Sequence, residues 1–172
     1  MIQLIRSRVL TGLVAHEVVV ECNVGAGLPR TTIVGLAESA VRESRDRVAA
    51  AIQNSGFYYP DGAITINLAP GTLAKSSSAL DLPIALSVLA ATRQVNTKAL
   101  DAYEWLGELA LSGSVRPVVG ALACAQAAAL AQRIPILPDD AGSELGWFHN
   151  GEVGIVASLL EAATVLNEGC YR

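Results

Sequence analysis

Arg42-Glu-Ser-Arg45-Asp-Arg47 places three guanidinium groups within six residues of a stretch with helical spacing, where Arg42 and Arg45 share a face. A guanidinium offers a two-pronged donor to a phosphate, so Arg42, Arg45 and Arg47 are the candidate nucleic-acid contacts of this chain. The same stretch also supplies its own acids. Glu38 lies four residues before Arg42 and Glu43 four before Arg47, the favourable orientation for helical ion pairs worth ~0.2–0.5 kcal/mol each. Phosphate ligands and a solvated, self-neutralised helix face are therefore the two readings of these arginines. No aromatic residue interleaves with them, so nothing suggests base stacking.

Gly71-Thr-Leu-Ala-Lys75-Ser76 approaches a phosphate-binding loop, which needs a second glycine before the lysine so that consecutive backbone N–H groups can wrap a phosphate. Ala74 stands in that place and the loop is short, so no ATP site and no cofactor is expected. A Ser-Lys dyad requires a desolvated lysine beside its serine. Only Lys75, next to Ser76–Ser78, and Lys98 are available. His16 and His149 are the only histidines and have no evident partners for a triad. Cys22, Cys124 and Cys170 are odd in number, far apart and without Cys-x-x-Cys spacing, which supports neither a disulfide framework nor a metal site.

The elements that position these groups belong to a chain of 172 residues, 52% hydrophobic and 16% charged, which has ample material for a core and the length of one domain, residues 1–172. Mean hydropathy is +0.42, yet the longest apolar candidate, Val118 to Ala131, contains Gln126 and falls short of the ~20 residues of a spanning helix. The first residues place their charges after the apolar ones, the reverse of a signal peptide, so a cytoplasmic protein without membrane association is expected. Net charge is −4, but residues 1–60 hold six Arg against five acids, whereas 121–172 hold two against six. Any phosphate contact is expected in the N-terminal third.

Alternation predicts a strand over Glu17–Val24 and another over Thr31–Val34, read as a hairpin, with Leu4–Leu10 as a further strand in a small antiparallel meander. From Glu38 to Asn54 neither Gly nor Pro interrupts an apolar helical period, and Gly56 offers a stop. Ala63–Leu68 reads as a strand. Asp81–Arg93 reads as a helix with Asp81 as N-cap and Pro83 in the first turn. Two strands around Ser112-Gly113, an alanine-rich helix over Gly120–Gln132, a short strand at Ile134–Leu137 and a helix near Ser158–Asn167 complete an α+β fold. In it a β-rich N-terminal part is followed by alternating helices and strands.

Four blocks occur in order: Thr32-Ile-Val-Gly-Leu-Ala-Glu-Ser-Ala-Val-Arg-Glu-Ser-Arg-Asp-Arg-Val48, Ile66-Asn-Leu-Ala-Pro70, Asp81-Leu-Pro-Ile-Ala-Leu86 and Gly107-Glu-Leu-Ala-Leu-Ser-Gly-Ser-Val-Arg116. Together they resemble the N-terminal domain of the ComM/YifB family of magnesium-chelatase-like AAA+ ATPases, from about Gly12 to Asn167. The resemblance implies a Lon-protease-domain-like fold and an AAA+ ATPase module that follows this domain in full-length relatives and is absent from this chain. It further implies hexameric rings that drive DNA branch migration in natural transformation. Two departures stand out: Lys75-Ser-Ser-Ser-Ala-Leu80 replaces a glycine-rich stretch and an aromatic, and Ala37 stands where proline is common. By the same likeness, the nucleophilic serine and catalytic lysine of Lon proteases fall at Ala79 and Leu122, neither of which can do that chemistry.

The expectation is a non-catalytic domain that serves assembly or DNA guidance for an ATPase, with that ATPase and DNA as partners and a homo-oligomer formed only with the ATPase module. Two rivals are a free-standing interaction module regulating an ATPase in trans, and a serine hydrolase with a displaced dyad from Ser76–Ser78 and Lys98.

Overall fold

The computed structural model describes residues 2–73, 75, 78–141, 145, 146, 148 and 151–171. Strands β1 (Leu4–Thr11) and β2 (Val14–Gly25) form an antiparallel hairpin, followed by β3 (Arg30–Val34), helix α1 (Glu38–Asn54) and β4 (Ala63–Ala69). The sheet order is β1-β2-β4-β3, with β2 antiparallel and β3 parallel to β4.

The expected hairpin between β2 and β3 therefore does not form, and the opening is no simple meander. At one end of the sheet Ala63 pairs with Gly25 on one side and Arg30 on the other, so residues 26–29 arch over the start of β4. Two inter-strand spacings amount to ~10 Å, well within the reach of four extended residues. The crossing is tight: a Cβ at Gly62 would lie 2.3 Å from the Gly25 carbonyl oxygen. Burial rewards the insertion, because Val18, Val20 and Cys22 on β2 and Ile64, Ile66 and Leu68 on β4 present one continuous apolar face to the core.

That face is covered by α1, whose buried residues are Ser44, Val48, Ala51 and Ile52, and by α2 (Asp81–Ala91), buried from Asp81 to Ala90. A helix buried on every side is a central helix rather than an amphipathic surface one. It stops at Ala91, two residues before the expected end, because Arg93 turns to a φ of 59°.

The second half builds around a parallel sheet in the order β5-β8-β9: β5 (Tyr103–Trp105), β8 (Ile134–Pro138) and β9 (Gly154–Val156). Between them lie the hairpin β6 (Glu108–Leu109) and β7 (Val115–Arg116), which flanks Ser112-Gly113 as expected, and α3 (Ala121–Leu130). Helix α4 (Leu159–Glu168) closes the chain, and the Ser158 hydroxyl caps it by accepting the Glu161 N–H at 3.2 Å. The α+β architecture with a β-rich start is thus the observed one. Among the described residues no helix is long and apolar enough to cross a membrane.

Candidate functional site

Helix α1 holds the three candidate arginines, and the structure separates them. Arg47 turns inward. Its Nε donates to Asp81 Oδ2 at 2.6 Å and its Nη2 to Oδ1 at 3.3 Å, while the Ser44 hydroxyl donates to Oδ1 at 2.8 Å and the Leu109 N–H to Oδ2 at 3.3 Å. Asp81, 1% exposed, thus joins α1, α2 and β6 through one carboxylate. Burial pushes that carboxyl up and the hydrogen bonds from Arg47 and Ser44 oppose it, whereas the bond to Asp81 holds the Arg47 guanidinium above its ordinary value. Arg42 and Arg45 remain on the outer side. Arg42 is exposed, and Arg45 binds its neighbour Asp46, through Nε at 3.2 Å.

Self-neutralisation of the helix is accordingly half present. Glu43 reaches Arg47 at 3.5 Å, but among the described residues no ion pair joins Glu38 to Arg42. Nor does Asp81 act as an N-cap: Leu80 occupies the cap position, Asp81 is the first helical residue, and its side chain is used across the core instead. A local capping argument could not see Ser44 and Arg47, which lie 37 and 34 residues away.

A polar cavity of about 330 Å³ opens beside this cluster, lined by Ser44, Arg47, Ser78 and Glu108 among others. Lys98 lines a different cavity, with Gln3 and Arg93, so the structure does not bring Ser78 and Lys98 into one site. Ser76, Ser77 and His149, the other candidate catalytic groups, lie outside the described residues. His16 is exposed on β2. Lys75 is 2% exposed, and its ammonium donates to the carbonyls of Pro70 and Leu73, closing its own loop rather than facing a ligand. Burial lowers its pKa.

The sequence pattern does not disclose a second charged cluster. Arg8 donates to both oxygens of Glu104, at 2.6 and 2.9 Å, and Arg133 reaches the same fully buried carboxylate at 2.8 Å. Arg133 also approaches Glu17 at 3.4 Å, and Glu17 pairs with Arg6 at 2.8 Å. The available signal was Glu104 itself, an acid flanked by Tyr103 and Trp105 in a strand buried throughout. The Cys22 and Cys124 thiols are buried and pushed up to about 12 and about 11, which keeps both protonated and unreactive at neutral pH. No metal-binding group of His, Cys, Asp or Glu occurs among the described residues.

Residues 20–140 match the family described as subunit ChlI of Mg-chelatase. Over 168 residues, 98% of the chain, it is 44% identical to the uncharacterized protein YifB of Escherichia coli K12, and over 164 residues, 95% of the chain, 36% identical to the competence protein ComM of Haemophilus influenzae. This chain belongs to the ComM/YifB family. An uncharacterized protein of Mycobacterium tuberculosis H37Rv is 42% identical over 117 residues, 68% of the chain. The chain spans about a third of the length of YifB and ComM, 33% and 32% respectively. In this ComM/YifB chain the Arg47–Asp81 pair links two of the blocks that carried the resemblance, the arginine-rich helix and Asp-Leu-Pro-Ile-Ala-Leu.

Proposed function

We propose that this ComM/YifB domain is a non-catalytic N-terminal part of a ComM-like AAA+ ATPase that remodels DNA, and that it serves the ring by assembly and by guiding DNA. The observation that carries the reading is the likeness, along 95% of this chain, to about a third of a protein named for competence. Two accessible guanidiniums on one helix, Arg42 and Arg45, supply the phosphate contacts, while Arg47 keeps the helix in place. The resemblance read in the sequence favours the absence of peptidase chemistry, since it puts Ala79 and Leu122 at the dyad positions of Lon proteases.

The test is the salt dependence of binding to duplex and branched DNA. Replacing Arg42 and Arg45 with Gln should weaken binding alike for all sequences and flatten the slope of log affinity against log salt by about 0.7–0.9 per lost phosphate contact. A folded double variant with an unchanged slope would leave the domain as an assembly element without DNA contact. The domain alone should turn over neither ATP nor a fluorogenic peptide, and turnover that disappears in Ser78→Ala would reverse the non-catalytic reading.

A further inference from the structure

We infer that the free edge of β3 is a docking site for an extended peptide from a partner protein, which adds to the sheet as a fifth strand. The two edges of the β1-β2-β4-β3 sheet differ. Beside β1 lies β5, tied to it by the Ser7 hydroxyl donating to the Trp105 carbonyl at 2.7 Å and by the Arg8–Glu104 pair. On the far side of β3 no strand follows among the described residues. The Arg30 N–H donates to the Gly62 carbonyl at 3.3 Å, so Arg30, Thr32 and Val34 turn their backbone groups toward β4. Alternation then turns the N–H and C=O of Thr31 and Ile33 outward, four groups that only another extended backbone satisfies in series.

A cavity of about 650 Å³ lies along this edge, with Val41, Arg45 and Ala49, successive turns of α1, forming one wall and Thr31 and Ile33 another. Tyr59 fixes the groove by sharing a hydrogen bond between its hydroxyl and that of Thr31 at 2.9 Å. A groove between an edge strand and a helix is the geometry in which main-chain bonds supply affinity and alternate side chains supply specificity. Within Arg30–Val34 there is no Pro and no Lys, and the pairing to β4 has no bulge, so the edge is protected only by Pro29 before it, the charge of Arg30 and its short length.

The occupant follows from the two faces. Side chains of an added strand on the α1 side meet Val41 and Ala49, with Arg45 and Asp46 on the same wall, and should be apolar where they pack on Val41 and Ala49. Those on the opposite side lie beside Arg30, which is exposed and makes no ion pair among the described residues, so a carboxylate there is complemented by a cross-strand cation. A peptide alternating Val with Thr and one Asp meets both demands. The inference does not need DNA binding, although Arg45 borders the groove and is also one of the two proposed phosphate contacts.

The experiment uses NMR-detected amide exchange of the whole chain with the acetylated, amidated heptapeptide Thr-Val-Thr-Val-Asp-Val-Thr at about 1 mM. Two further versions are N-methylated, one on all Val residues and the other on the Thr and Asp residues. Exchange at Thr31 and Ile33 should slow by about fivefold or more with the unmethylated peptide and with one methylated version, and should return to its free rate with the other. Arg30→Gln should weaken the unmethylated peptide by about two- to fivefold without altering the free exchange rates. No slowing, or equal slowing by both methylated versions, would overturn the docking site. Protection of the two amides without peptide, accompanied by a dimer mass, would also overturn it in favour of pairing between copies of this chain.

Discussion

Asp81 draws one guanidinium, one hydroxyl and one amide onto a carboxylate that is 1% exposed, and each donor comes from a different residue in α1 or β6. Removing it leaves the Arg47 charge, 22% exposed at its side chain, with the long 3.5 Å contact to exposed Glu43 in place of its close partner, and leaves Ser44 without its acceptor. Asp81→Ala should therefore cost about 2–4 kcal/mol in urea unfolding, below the upper range for a wholly buried pair because water reaches Arg47. In a double-mutant cycle with Arg47→Ala the coupling should be about 1–3 kcal/mol, and additive losses would show that the two residues act separately. Arg42→Ala, on the exposed side, should change the unfolding free energy by no more than about 0.5 kcal/mol.

Between β3 and α1 the chain turns through Gly35, whose φ is 98° and whose added Cβ would lie 2.5 Å from the Leu68 carbonyl oxygen. Backbone strain and contact with β4 act together there, so Gly35→Ala should cost about 2 kcal/mol or more and lower the melting midpoint by at least about 4 °C. An unchanged midpoint would mean that the turn relaxes freely. The elements beside this turn also show what the residues disclose on their own. Helix α1 is legible to its last residue, Asn54, because an unbroken apolar period ends near Gly56 and no distant partner is needed to see it. The placement of β4 between β2 and β3 is not legible, since consecutive strands usually neighbour one another and nothing local to Gly25–Arg30 marks the intruder. The same limit hid the role of Asp81. Propensity and capping are rules about adjacent residues, whereas its donors and those of Glu104 are brought together only by the finished fold.

Charge joins the two halves of the molecule beside an apolar core that runs through both. Arg6, Arg8 and Glu17 from the opening hairpin meet Asp101, Glu104 and Arg133 from the second half in a continuous chain of ion pairs. Burial alone would raise the Glu17 carboxyl, but the hydrogen bond from Arg6 and the charges of Arg133 and Arg6 outweigh it and hold its pKa below the ordinary 4.5. A carboxyl depressed on folding contributes stability that is complete above its unfolded value and is lost as pH falls through the folded one. Urea midpoints should therefore decline as pH falls below about 4.5, and Glu17→Gln should remove part of that decline while losing some stability at neutral pH. Identical acid profiles for the two proteins would place the acid sensitivity elsewhere.

The strand order also has a consequence for the sequence of events during synthesis. When synthesis has passed about residue 60, β2 and β3 already exist as chain but lack the strand that lies between them. The seat between them belongs to Ala63–Ala69, and α1 must be made before that segment arrives. The N-terminal third is thus a frame awaiting its keystone, and a chain interrupted in the segment between α1 and β4 yields two pieces, neither of which can complete the sheet. Supplied together, the pieces have a reason to find each other, since the missing strand of one is the opening of the other.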